Sequence, residues 1–145
     1  RLLHERREVT VVTNDLNIAL LLEQYESVHV LVMGGLLRRN FHCTVGDAGA
    51  RMLAGLSVDK AFMGANSISA QGGASTPDIS TAEIKRAMLG IAAHVVLLCD
   101  HDKINRRSFA KFADVGDIDT LITDFITEDD QQAFDQQDIE VIVAP

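Results

Sequence analysis

Short apolar runs alternate along the chain with longer stretches in which apolar residues recur every three or four positions. That alternation predicts buried parallel strands joined by crossover helices. Six runs read as strands, at 9–13 (VTVVT), 29–33 (HVLVM), 60–64 (KAFMG), 94–99 (HVVLLC), 120–123 (TLIT) and 140–143 (EVIV). Their Val, Ile and Leu content suits a sheet covered on both faces. Between them, Ile18, Leu21, Leu22 and Tyr25 fall on one stripe of a helix over 15–25, and Ile84, Met88 and Ile91 on one stripe of a helix over 82–93. Shorter helices are expected to start near Asp47 and near Glu128, where acidic residues precede apolar ones and suit the positive end of the helix dipole. The expected fold is α/β, an open and mostly parallel sheet with right-handed crossover helices.

A length of 145 residues, 47% of them hydrophobic, is enough for one domain with a real core. The net charge of -8 excludes a free-standing nucleic-acid binder, which needs clustered cations to meet phosphates. With 5% aromatic residues and no Trp, platforms for stacking single-stranded bases are also missing. Cys43 and Cys99 make one pair in 145 residues, which is no disulfide framework, so both are expected to be reduced. No apolar run nears the roughly 20 residues that span a bilayer, and the opening RLLHERRE is unlike a signal peptide. A cytoplasmic location without membrane contact is expected. That opening lacks Met and reads as the tail of a helix, so the chain is expected to be part of a longer protein.

In open α/β sheets ligands bind beyond the carboxyl ends of the strands. Those positions are polar or glycine-rich: Thr13, Asn14 and Asp15 after the first run, Gly34 and Gly35 after the second, Gly64, Ala65 and Asn66 after the third, and Asp100 to Lys103 after the fourth. Thr13 to Asp15 can cap the following helix or offer its first N–H groups to an anion. Gly34-Gly35 allows a sharp turn or the close approach of a ligand. The segment 71–78 (QGGASTPD), with Gly72, Gly73, Ser75 and Thr76, reads either as a phosphate-cradling loop or as a surface turn before a helix. Ser80-x-x-Glu83 has the spacing of a capping box. Lys85 lies early in that helix, where a cation opposes the dipole unless an anion compensates, and Lys103 follows a buried strand. His42, Cys43, Cys99 and His101 lack the spacing of a zinc site, so no metal is expected, and without a GxSxG elbow to present a nucleophile hydrolysis is not expected either; no cofactor is expected.

The stretches VVTNDLNIA (11–19), VMGGLLR (32–38), TVGDAGARML (44–53), VDKAFMGANSIS (58–69), GGASTPDISTAEIKRAML (72–89), CDHDKINRRSF (99–109) and DTLITD (119–124) together resemble the carboxyl-terminal sensor domain of DeoR-family transcriptional regulators. The resemblance implies a fold related to ribose-5-phosphate isomerases and glucosamine-phosphate deaminases. It implies a phosphorylated sugar as effector and a role, mostly repression, in carbohydrate metabolism. It also implies that 1–145 is one effector-sensing domain. An upstream helix-turn-helix would bind operator DNA, and an upstream strand with a Gly-Thr-Thr loop would help hold phosphate. A homo-oligomer is expected on the same ground. Carried over by position, Thr13 and Asn14 would face the ligand, Gly34 and Gly35 would permit close approach, Gly64 to Asn66 would form the floor, and Gly72 to Thr76 the lid. Glu83, Lys85 and Lys103 match the recurrent charged positions. Ile104-Asn105 departs from the family, where Phe-Gly is common.

The alternative is a sugar-phosphate isomerase or deaminase. Such catalysis needs a positioned acid and base. In the isomerase relatives an acid occupies the loop matching Gly64 to Asn66, where Asn66 cannot ionise. Glu83 could serve as a base, but a capping box would also explain it. The chain is therefore expected to sense rather than to catalyse.

Overall fold

In a computed structural model, residues 8–144 are described, and they fall into two compact units that divide between Met52 and Leu53. The first unit opens with β1 (Val9–Thr13), α1 (Leu16–Leu22) and β2 (Val28–Val32). β1 and β2 pair in parallel, Val9 opposite Val28 and Thr13 opposite Val32. Parallel neighbours need a crossover, and α1 supplies it. The helix starts at Asp15, whose carboxylate accepts from the N–H groups of Asn17 (2.8 Å) and Ile18 (3.0 Å), two donors that a first helical turn leaves without partners. The predicted stripe of this helix is only partly covered: Leu22 is buried, whereas Ile18 and Leu21 are exposed. An antiparallel hairpin of β3 (Leu36–Arg38) and β4 (Cys43–Val45) follows, then α2 (Asp47–Met52), which carries an Arg51–Asp47 ion pair one turn apart.

The second unit contains β5 (Ala61–Gly64), β6 (Ser67–Ser69), β7 (Gly73–Thr76), α3 (Ile79–Leu89), β8 (Val95–Leu98), β9 (Ala110–Ala113), β10 (Thr120–Thr123), α4 (Glu128–Asp135) and β11 (Glu140–Val143). Four of these strands form an all-parallel sheet in the order β11-β10-β8-β5, the open α/β arrangement that the apolar runs predict. A second sheet, β6-β7-β9, is antiparallel and was not expected from the pattern. Its strands are three or four residues long and rich in Gly, Ala and Ser, too short and too small to show a period. One core joins the two sheets, with Met63, Leu97 and Leu121 from the parallel sheet, Ile68 and Phe112 from the antiparallel one, and Phe134 from α4. Burying a side chain such as Leu97 or Leu121 completely contributes about 1.5–3 kcal/mol.

The helix that the sequence placed at 82–93 begins earlier. Its N-cap is Asp78, whose carboxylate accepts from the backbone N–H and the hydroxyl of Thr81, both at 2.7 Å. The Ser80–Glu83 capping box is therefore not used, because an Asp at the true helix start outcompetes a Ser two residues inside it. At α4 the N-cap is Thr127, and Glu128, Asp129 and Asp130 fill the first turn as the dipole favours.

Candidate functional site

Within the second unit, parallel pairing sets Gly64 opposite Leu98, and Leu98 opposite Ile122, so β5, β8 and β10 end along one edge. Beyond β5 comes Gly64-Ala65-Asn66, beyond β8 a 3-10 turn at His101–Lys103, and beyond β10 Asp124. From α3, Lys85 donates its ammonium to the Gly64 carbonyl and stands 4.9 Å from the centre of the Phe112 ring. The Lys103 ammonium pairs with Asp100 at 2.8 Å. Asp124 accepts from the backbone N–H and from ring Nδ1 of His101, both at 2.8 Å. The ring and backbone hydrogen bonds from His101 lower the Asp124 carboxyl to about 2, and the same carboxylate raises the imidazole. Asp100 raises Lys103 through its hydrogen bond. Burial pushes the Cys99 thiol up to about 11, and Asp100 adds to the effect. The edge thus presents the Lys85 and Lys103 ammoniums beside a histidine–carboxylate couple.

The other residues singled out in the sequence are largely committed to the chain itself. Thr13 is buried and its hydroxyl accepts from Asp15 N–H at 3.1 Å. The Asn14 amide donates to Thr44 O at 2.7 Å, the Thr44 hydroxyl to Met33 O at 2.6 Å, and Met33 N–H to Thr13 O at 2.8 Å. These bonds tie the ends of β1, β2 and β4 together in the first unit. Gly35 has φ +145°, and a Cβ there would lie 2.6 Å from Val45 O, so the close approach it permits is to β4. The N–H of Gly34 points at the Met52 sulfur, 3.2 Å away.

In the second unit the Asn66 side-chain oxygen accepts from the Thr76 hydroxyl at 2.9 Å. That leaves the Asn66 amide N–H groups as donors. Gly73 to Thr76 is not a surface lid. It is β7, the middle strand of the antiparallel sheet, and all four residues are buried. Small side chains fit there because β6 and β9 flank the strand and α3 packs on it. The Ser75 hydroxyl accepts from Ser108 N–H at 2.9 Å, and Gly72 remains in the β6–β7 turn. Glu83 is exposed on α3. Asp124 and its couple with His101 have no signal in the sequence beyond the DTLITD motif, since a carboxylate after a strand carries no local mark of its partner. His42 and Cys43 lie in the first unit and Cys99 and His101 in the second. Among the described residues no three His, Cys, Asp or Glu side chains gather as metal ligands, and no helix is long and apolar enough to cross a membrane.

The chain is 37% identical over 113 residues to the HTH-type transcriptional regulator GlpR of Haloferax volcanii, an alignment covering 78% of this chain and 44% of that protein. It is 32% identical over 140 residues to the HTH-type transcriptional repressor GlcR of Bacillus subtilis, covering 94% and 53%. The glycerol-3-phosphate regulon repressor of Haemophilus influenzae is 30% identical over 125 residues, covering 86% and 48%. The chain thus spans about half the length of these relatives. The profile of the DeoR C-terminal sensor domain matches residues 1–125. The chain belongs to the DeoR family of transcriptional regulators, within its C-terminal sensor domain.

Proposed function

We propose that this chain is the effector-binding part of a DeoR-type transcriptional repressor of carbohydrate metabolism, and that its effector is a small phosphorylated sugar. The observation that carries the reading is the carboxyl edge of the parallel sheet, where Lys85 reaches Gly64, Lys103 follows β8 and the Asn66 amide is held by Thr76. Sheet edges of this kind are where open α/β proteins take their ligands. Lysine ammoniums suit the phosphate, and the Asn66 donors suit a sugar hydroxyl. An arriving phosphate displaces Asp100 as the partner of Lys103. The similarity to the Haemophilus influenzae glycerol-3-phosphate regulon repressor supports a phosphorylated effector. Operator DNA is contacted by the full regulator as a homo-oligomer, through parts outside these acidic residues. The chain itself catalyses nothing.

Thermal denaturation of the chain with sugar phosphates and with the matching unphosphorylated sugars tests this. A phosphorylated ligand at about 100 times its dissociation constant adds about 2.7 kcal/mol and raises Tm by several degrees. A charge-assisted hydrogen bond is worth about 1.5–3 kcal/mol, so Lys85→Ala and Lys103→Ala each weaken binding about 10- to 150-fold. Equal shifts by phosphorylated and unphosphorylated sugars, or a phosphorylated hit that survives both substitutions, overturn the reading.

A further inference from the structure

The turn between β6 and β7 and the segment leading into β9 enclose a cleft of about 300 Å³. Arg106, Arg107 and Lys111 line it with the hydroxyls of Ser69, Ser75 and Ser108, and no carboxylate does. In a chain of net charge -8 this is a local excess of cations, which repel one another unless an anion completes the set. Lys111 is turned to Asp114, but neither Arg106 nor Arg107 makes an ion pair or hydrogen bond among the described residues.

The uncharged groups face the same way chemically. Ser69 Oγ accepts from Gly72 N–H at 2.9 Å and Ser75 Oγ from Ser108 N–H at 2.9 Å, so both hydroxyl protons remain to be donated. A Cβ on Gly72 would lie 2.8 Å from Ser69 Oγ and 3.6 Å from a guanidinium nitrogen of Arg107, so the bare turn is what lets Arg107 come over it. Phe109, 80% exposed, adds an aromatic face to the cleft wall.

We propose that this cleft binds the phosphate of a phosphomonoester, as an anion site separate from the carboxyl edge of the parallel sheet. The guanidinium fork matches two phosphate oxygens, and the Ser69 and Ser75 hydroxyls complete the donor set, the Ser108 hydroxyl being shared with Ser67 at 2.6 Å. Ser67 pairs with Ser75 and Ser69 with Gly73, so the turn lies at the far end of the hairpin from Asn66, about 10 Å along the strand. The site does not depend on the effector reading above.

The test is an amide NMR titration of the chain with inorganic phosphate and then with phenyl phosphate, which adds an aromatic group for Phe109. Saturable shifts are expected at Ser69, Gly72 and Ser108. Arg106→Gln and Arg107→Gln, both on exposed side chains, are each expected to weaken binding about tenfold while leaving the rest of the spectrum unchanged. Gly72→Ala, which crowds Ser69 and Arg107 without a change of charge, is expected to weaken it as well. Shifts confined to 64–66 and 100–103, absence of saturation by about 10 mM at the cleft, or an affinity unchanged in the Arg106→Gln/Arg107→Gln double variant overturns the proposal. The effector reading fails separately, at the amides of 64–66 and 100–103.

Discussion

Replacing Gly73 with Ala tests the construction of the antiparallel sheet that holds Asn66 in place. Gly73 has φ +72°, and a Cβ there would lie 2.1 Å from Ala113 O and 3.1 Å from the Asp114 Cα, both backbone atoms of the neighbouring chain segment. The left-handed conformation alone costs a non-glycine residue about 1–2 kcal/mol. Relieving the contact with a carbonyl oxygen requires β7 and β9 to separate by about 1 Å, which weakens one or two ladder hydrogen bonds worth about 0.5–1.5 kcal/mol each. The ladder is already irregular between Ala74 and Ser75. The expected loss is about 1.5–5 kcal/mol, a large share of the 5–15 kcal/mol typical of a domain. Urea denaturation followed by circular dichroism reads it as a midpoint lowered by about 1–3 M. Gly116→Ala is the control, since nothing lies within 4 Å of a Cβ there, and it should change stability by less than about 0.5 kcal/mol. A Gly73→Ala protein within about 1 kcal/mol of the parent would refute the close approach of β7 and β9.

The His101–Asp124 couple has a defined pH window. Asp124 raises His101 above its ordinary 6.5, so the contribution of the imidazole is complete below pH 6.5 and is lost as pH rises through the raised value. Asp124 is lowered from 3.8 to about 2, so its contribution is complete above pH 3.8 and is lost as pH falls through about 2. Asp124→Asn should therefore return the ring titration, followed by NMR, toward 6.5, and a titration that does not move would remove the couple. Buried Cys99, with its thiol near 11, should be alkylated by iodoacetamide at neutral pH more slowly than half-buried Cys43, as read by mass spectrometry. Incubation with ribose 5-phosphate or hexosamine 6-phosphates should give no enzyme-dependent change by NMR, whereas steady turnover abolished by Glu83→Gln would favour an enzyme. The chain alone should form no specific complex with duplex DNA in a mobility-shift assay, as its charge of -8 requires.

The sequence by itself determined the elements whose side chains repeat at a characteristic period. β1, β10 and β11 fall where VTVVT, TLIT and EVIV stand, and β2, β5 and β8 within a residue of the predicted bounds. Apolar runs announce parallel strands, but the expected cover on both faces holds only for β8 and β10, since Leu31 and Val32 of β2, Phe62 of β5 and Ile142 and Val143 of β11 are exposed. The joint order of the strand-end motifs was likewise enough to point to the DeoR family. What only the tertiary structure decided was the partner of each group. Gly72 to Thr76 read as a loop because Gly, Ser and Thr favour turns, yet the residues from Gly73 are a buried strand whose smallness serves the packing between β6 and β9. Thr13 and Asn14 read as ligand contacts, and the fold sets an Asn14 amide N–H against the carbonyl of Thr44, a residue 30 positions away. Lys103 read as a candidate ligand contact after a buried strand, and the turn at 101–103 folds it back onto Asp100. Asp124 and the Arg106–Arg107 cleft were hidden for the same reason. A charge acquires a role from what stands opposite it, and spacing along one chain does not encode which distant residue that will be.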